Sequence, residues 1–135
     1  MLDIKALILK VISWIKGNKS YCIETGTSNS FNYWKYSDGT FRAIRYSTSG
    51  STGSMTQIGS SGIYYSAPAA ITLPNIGITA VKYANAICSP SANYLMSMII
   101  NRLTTSSVYA AYVRYGSGTA VSGITWTLYI EGTYE

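Results

Sequence analysis

The chain contains no histidine. That removes Ser-His-Asp triads, His-assisted thiol catalysis and imidazole-containing metal sites. Charge is scarce too: ten basic and five acidic residues among 135, or 11% charged, for a formal net charge of +5. Beyond the N-terminal stretch the acids reduce to Glu24, Asp38, Glu131 and Glu135. A glycosidase needs two carboxylates set across one bond. Asp38 already has a turn role and Glu135 stands at the end of the sequence, so Glu24 with Glu131 is the one formal pair, and neither context suggests a perturbed pKa. The Gly-Ser-rich runs 50–53 and 116–118 carry no Gly-Lys-Ser/Thr and precede no helical pattern, so they are not phosphate loops. The sequence therefore predicts a non-enzyme without metal or cofactor.

Two cysteines, Cys22 and Cys88, are too few for a disulfide scaffold and lack metal-ligand spacing. Two buried thiols are the default; a single long-range disulfide stays open. The basic residues are scattered, with only Lys16 and Lys19, and Arg42 and Arg45, near one another. A nucleic-acid binder carries a denser basic stripe with aromatic platforms between, so nucleic acid is not an expected partner.

What the sequence has is tyrosine: thirteen, against two phenylalanines. Tyrosine suits half-buried strand faces and binding surfaces, since its ring packs while its hydroxyl stays wet. With little charge, solubility rests on Ser, Thr, Asn and Gly. That composition suits an exposed, rigid module present in several copies.

Residues 2–16 are mostly apolar with no Gly or Pro, and predict a helix of about 22 Å. Met1, Ile4, Ile8, Val11 and Ile15 recur at alternating spacings of three and four, the seam of a two-heptad coiled coil. β-Branched residues at both seam positions favour three strands over two. A helix this short is marginal alone, so Ile4, Ile8, Val11 and Ile15 are read as trimerisation residues. A helix folded back on its own β region is the plainer alternative. Leu7, Ile12 and Trp14 widen the apolar arc, which suits a trimer and equally a helix lying in a membrane interface. Asp3, Lys5, Lys10 and Lys16 argue against a membrane span. The absence of a preceding basic residue and of a small-x-small site argues against a signal peptide.

Gly17-Asn18 closes the helix, with Gly able to take the left-handed C-terminal conformation. Short strand-like runs and turn signals then alternate. Ser37-Asp38-Gly39 marks a hairpin between 33–36 and 40–46. The Ser/Thr/Gly-rich stretch 47–62 reads as a long flexible or irregular loop. Strands follow at 71–73, 78–87, 94–103 and 108–115; the third of these, YLMSMIINRL, carries a central apolar run that a buried helix turn would also explain. In the closing strand Ile124, Trp126, Leu128 and Ile130 point one way, and Thr125, Thr127, Tyr129 and Glu131 the other. The organisation is a trimerisation helix, 1–18, and a β region, 19–135, forming an antiparallel β-sandwich or jelly roll.

The run 31–39 (FNYWKYSDG), behind Glu24-Thr25-Gly26, resembles the C-terminal domain of minor structural and tail-fibre proteins from phages of Gram-positive (Firmicutes-type) bacteria. That family carries a Glu-x-Gly turn, an aromatic-x-Tyr-x-Lys-aromatic strand and a Ser/Asn-Gly hairpin. Here Glu24, Gly26, Phe31, Tyr33, Lys35, Tyr36, Ser37 and Gly39 occupy those positions. Ser66-Ala67-Pro68 before 71–73, and the closing strand 124–132, are similar to later parts of the pattern. Tyr36 stands where Trp is usual, and Gly132-Thr133-Tyr134 replaces Gly-Arg-Trp. The resemblance spans most of 21–135. It implies a trimeric, fibre-like assembly on a virion or prophage-derived tail, put together in the bacterial cytoplasm with other tail proteins and acting at the host surface. Phe31, Tyr33, Lys35, Trp34 and Tyr36 are equally explained as cross-strand pairs that stabilise a hairpin.

Three functions are expected in descending order. The first is a trimeric fibre tip that binds a bacterial surface glycan or cell-wall polymer, using aromatic and hydrogen-bonding residues at loop ends: Tyr64, Tyr65, Asn93, Tyr94, Arg114 and Tyr115. The second is a structural knob or virion decoration that binds no receptor. The third is a membrane-active oligomer built on the N-terminal helix.

Overall fold

A computed structural model describes residues 3–18, 20–47, 49–92 and 94–135, without the side chains of 15–18. Met1 and the Ile15 side chain of the expected seam, and Asn93 of the expected site, lie outside the described residues.

The helix α1 spans Ile4–Asn18. Asp3 caps it: its Oδ1 accepts from the Ala6 amide at 3.1 Å, and its carbonyl accepts the Leu7 amide. Such a cap is worth about 1 kcal/mol. Every described side chain from Asp3 to Trp14 is exposed, with the large apolar ones between 42% and 65% accessible. The alternative of a helix buried against its own β region is thereby corrected: α1 does not bury its apolar arc on the sheets. No described helix is long and apolar enough to cross a membrane.

Among the described residues ten strands follow: β1 Cys22–Ser28, β2 Phe31–Tyr36, β3 Thr40–Ser47, β4 Thr56–Gln57, β5 Ile63–Tyr65, β6 Ala69–Thr72, β7 Ile78–Ser89, β8 Met96–Leu103, β9 Ser107–Tyr115 and β10 Thr125–Tyr134. They form two antiparallel sheets. The first has the order β1-β2-β3-β10-β7; the second has β4-β5-β9-β6, with β8 also paired to β9. Because β5 and β6 pair with successive parts of β9 while β8 runs along its whole length, β8 occupies the opposite edge of β9.

Alternation decides which residues meet. In β10, Leu128 and Ile130 are fully buried, and their cross-strand neighbours Ala43 and Ala86 join them. Phe31, Phe41, Ile71, Met98, Val108 and Ala110, with Leu73 and Ile76, join them in a single cluster fed by both sheets. Burying a side chain such as Phe31 or Leu128 contributes about 1.5–3 kcal/mol. The apolar run in β8 is strand rather than helix, and it serves both faces: Met98 enters the cluster while Ile99 faces away.

Three local expectations need correction. Glu24-Thr25-Gly26 is not a turn but lies within β1; the turn comes later, at Asn29 and Ser30, both at positive φ. The stretch 47–62 is not simply irregular. It contains β4, and Thr52 exchanges bonds with Val121 while the Met55 amide donates to Gly118. Single buried residues such as Thr52 and Met55 leave no periodicity for the sequence to reveal. Finally, Cys22 is exposed and both thiols are free. They sit on β1 and β7, opposite edges of a five-stranded sheet. Four strand spacings of about 4.8 Å separate them, far beyond disulfide reach.

Candidate functional site

The residues expected to bind a ligand divide between two faces of the second sheet. Tyr64 and Met96 flank Arg114 in register. The Arg114 side chain is buried; its Nη1 donates to the Thr119 carbonyl at 2.7 Å, and its guanidinium lies 4.3 Å from the Tyr94 ring centroid. The Tyr64 ring packs so close to Gly118 that a Cβ there would sit 2.7 Å from it. Tyr64, Tyr94 and Arg114 thus form one cluster that braces the 116–119 loop. Tyr65 and Tyr115, one residue along their strands, point to the opposite face and stand exposed. On that outer face Arg102 stacks over Tyr109 at 4.0 Å.

A second group was not expected from the sequence. On the outer face of the first sheet, cross-strand register places Trp34 beside Arg42, Arg42 beside Glu131, and Glu131 beside Tyr83. The Arg42 Nε is 3.0 Å from Glu131, and its guanidinium lies 5.6 Å from the Tyr36 ring. Tyr129 donates its hydroxyl to Glu131 and meets Tyr83 edge to face, with centroids 6.1 Å apart. Burial, and then donation to Glu131, push the Tyr129 phenol up to about 12. Beside this row is an open cleft of about 230 Å³, lined by Thr40, Arg42, Lys82, Glu131 and Thr133 among others. The signal was present in both alternations, which leave Trp34 and Tyr36, and Tyr129 and Glu131, facing away from the core. The register that aligns them was not.

Three residues of the motif that carried the resemblance, Glu24, Tyr33 and Lys35, have a structural role on the inner side of the same sheet. Tyr33 donates to Glu24 at 2.7 Å, Lys35 lies 3.4 Å from the same carboxylate, and the Lys35 ammonium sits 4.2 Å over the Tyr134 ring. The Tyr33 hydrogen bond, with Lys35, holds the Glu24 carboxyl below its ordinary value. Glu24 pairs with Lys35, Lys35 with Phe41, and Phe41 with Gly132, so Glu24 and Glu131 project from opposite faces of the sheet. They cannot flank one bond, which removes the formal acid pair. Among the described residues no group of three or more His, Cys, Asp or Glu side chains is placed to hold a metal.

No protein-family profile matches the chain, and no curated protein matches it. A solved structure described as the selenomethionine structure of an N-truncated R2-type pyocin tail fiber is similar, at 15% identity and a TM-score of 0.48. The match covers 84% of this chain and 37% of that one, so the chain spans little more than a third of that N-truncated chain.

Proposed function

We propose that the chain is a fibre-tip module of a phage-type tail: three copies joined through α1, each presenting a β-sandwich to a bacterial surface glycan or cell-wall polymer. The observation that carries this reading is the pairing of an unburied apolar helix with a β region whose tyrosines stand in solvent, among them Tyr46, Tyr65, Tyr83 and Tyr115. Ile4, Ile8 and Val11 supply the seam between copies, and other tail proteins are the expected neighbours on the virion. The order of motifs from Glu24 to Gly39 supports the tail assignment. Exposed aromatic rings with polar neighbours suit saccharides, whose C–H faces stack and whose hydroxyls need donors and acceptors. Tyr65 and Tyr115, with Tyr64, Tyr94 and Arg114 behind them, form one candidate contact region, and Asn93 belongs to the same proposal by its sequence position beside Tyr94. Weak single sites suffice, because joining copies multiplies apparent affinity by about 10²–10⁴.

The test is binding of the labelled full chain to a panel of bacterial strains, beside an Ile8→Asp/Val11→Asp variant. Saturable binding that falls by about 10²–10⁴ in the variant is the expected result. A trimer that binds no strain, wall extract or glycan would identify a structural knob instead. A second reading draws on Leu7, Leu9, Ile12 and Trp14, which make α1 apolar well beyond the seam: a helix lying in a membrane interface. Liposome leakage caused by the full chain and abolished in the same variant would favour it.

A further inference from the structure

The outer face of the first sheet has a feature that the loop-end residues lack: two aromatic residues in register on either side of an ion pair. We propose that the row Trp34, Arg42, Glu131 and Tyr83 is a binding platform for an uncharged oligosaccharide. The inference rests on the surface-glycan reading above and gives it a site and a ligand class.

The register sets the dimensions. Trp34 and Tyr83 stand three strands apart, about 14 Å at 4.8 Å per strand, a span for an extended sugar chain rather than a single ring. Tyr83 is half exposed, and Trp34 is partly so. Between them the guanidinium and carboxylate already have partners besides each other: Arg42 lies over the Tyr36 ring and Glu131 accepts from the Tyr129 hydroxyl. Polar groups held in place before binding lose little conformational freedom on binding. Hydroxyls on adjacent sugar carbons can accept from Arg42 and donate to Glu131 in charge-assisted hydrogen bonds. Thr40 and Thr133 add hydroxyls in the adjoining cleft.

Charge selects the neutral class. Arg42 and Glu131 neutralise one another at 3.0 Å, so among the described residues lining this cleft Lys82 is the remaining cation. Among the described residues of the cleft, an anionic polymer repeating phosphates along the sheet would find one cation without an ion-pair partner and one opposing carboxylate. A neutral saccharide finds a donor, an acceptor and two rings. A second copy of the chain is the competing occupant of any open sheet face, and the test separates it.

The full chain would be titrated with cello-, chito-, manno- and rhamno-oligosaccharides, with polyglycerol phosphate as the anionic comparison, following indole and amide NMR resonances. Tyr83→Ala and Glu131→Gln would be compared with Tyr65→Ala, which lies on the other sheet. Saturable shifts at Trp34 and Tyr83 with a neutral oligosaccharide, weakened about tenfold by either first-sheet substitution (roughly 1.4 kcal/mol) and unchanged by Tyr65→Ala, are expected. No saturable shift with any neutral oligosaccharide, or tighter binding of polyglycerol phosphate, would overturn the proposal. So would a lower solution mass in Tyr83→Ala, which would assign the face to contacts between copies. If the labelled chain binds cells and both substitutions leave that binding intact, this site is rejected while surface recognition stands. If neither cells nor oligosaccharides are bound, both readings fall.

Discussion

The Tyr33 ring lies across Gly26 on the neighbouring strand, so closely that a Cβ at Gly26 would sit 2.6 Å from the phenol oxygen. The bare glycine backbone lets the phenol reach Glu24. Gly26→Ala should push the ring aside and break that bond. The expected result is a lower urea midpoint and a Tyr33 phenol that titrates closer to 10, because donation to Glu24 is the main cause of its raised pKa. An unchanged Tyr33 titration would show that the ring's position does not depend on the glycine.

The β1–β2 connection offers a gain rather than a loss. Asn29 and Ser30 have φ of 48° and 65°, as a two-residue hairpin turn with both central residues left-handed requires. Asn29 tolerates this and is anchored by donation to the Leu73 carbonyl at 2.6 Å. Among the described residues Ser30 has no such hydrogen-bond partner. A side chain in that region costs about 1–2 kcal/mol, partly offset by the greater unfolded-state freedom of glycine. Ser30→Gly should therefore stabilise the fold by about 0.5–1 kcal/mol in denaturant unfolding; destabilisation would contradict the turn geometry.

Ionisation should shape stability at both ends of the pH scale. Tyr129 is raised from 10.0 to about 12, so its neutral form is favoured in the folded chain. Its contribution is complete below pH 10 and is lost as pH rises toward 12. Phenolate absorbance should show a late-titrating tyrosine that is missing in Tyr129→Phe. Glu24 and Asp38 are depressed below 4.5 and 3.8, the first mainly by Tyr33 and the second by the Thr40 hydroxyl and amide. Their contributions are present above those values and fade as pH falls below them. Glu24→Gln with Asp38→Asn should flatten the acid limb of a melting-temperature profile.

Much of this fold was legible because buried strands alternate. The facing of Leu128 and Ile130 and the hairpin at Asp38 follow from period and turn chemistry. So does the N-terminal helix, although the sequence cannot say what covers its apolar arc. The strand 94–103, whose apolar run also fits a helix turn, was read from its β neighbours alone. β1 was obscured because its residues are mostly exposed and Gly26 reads as a turn, when its function is to admit the Tyr33 ring. The second sheet's short strands, β4 and β5, were hidden within Ser/Gly-rich sequence. Their positions depend on long-range partners such as Arg114 and Val113. The candidate platform was invisible for a related reason. Trp34, Arg42, Glu131 and Tyr83 are far apart in sequence, and the register that aligns them is set by strand pairing, which no local pattern encodes.

The central claim is that copies of the chain bury the apolar arc of α1 against one another. Light scattering of the full chain on a sizing column tests it most directly. The account predicts a mass near three times 14.7 kDa, falling to the monomer value in Ile8→Asp/Val11→Asp. A full-length chain that elutes at 14.7 kDa would contradict it.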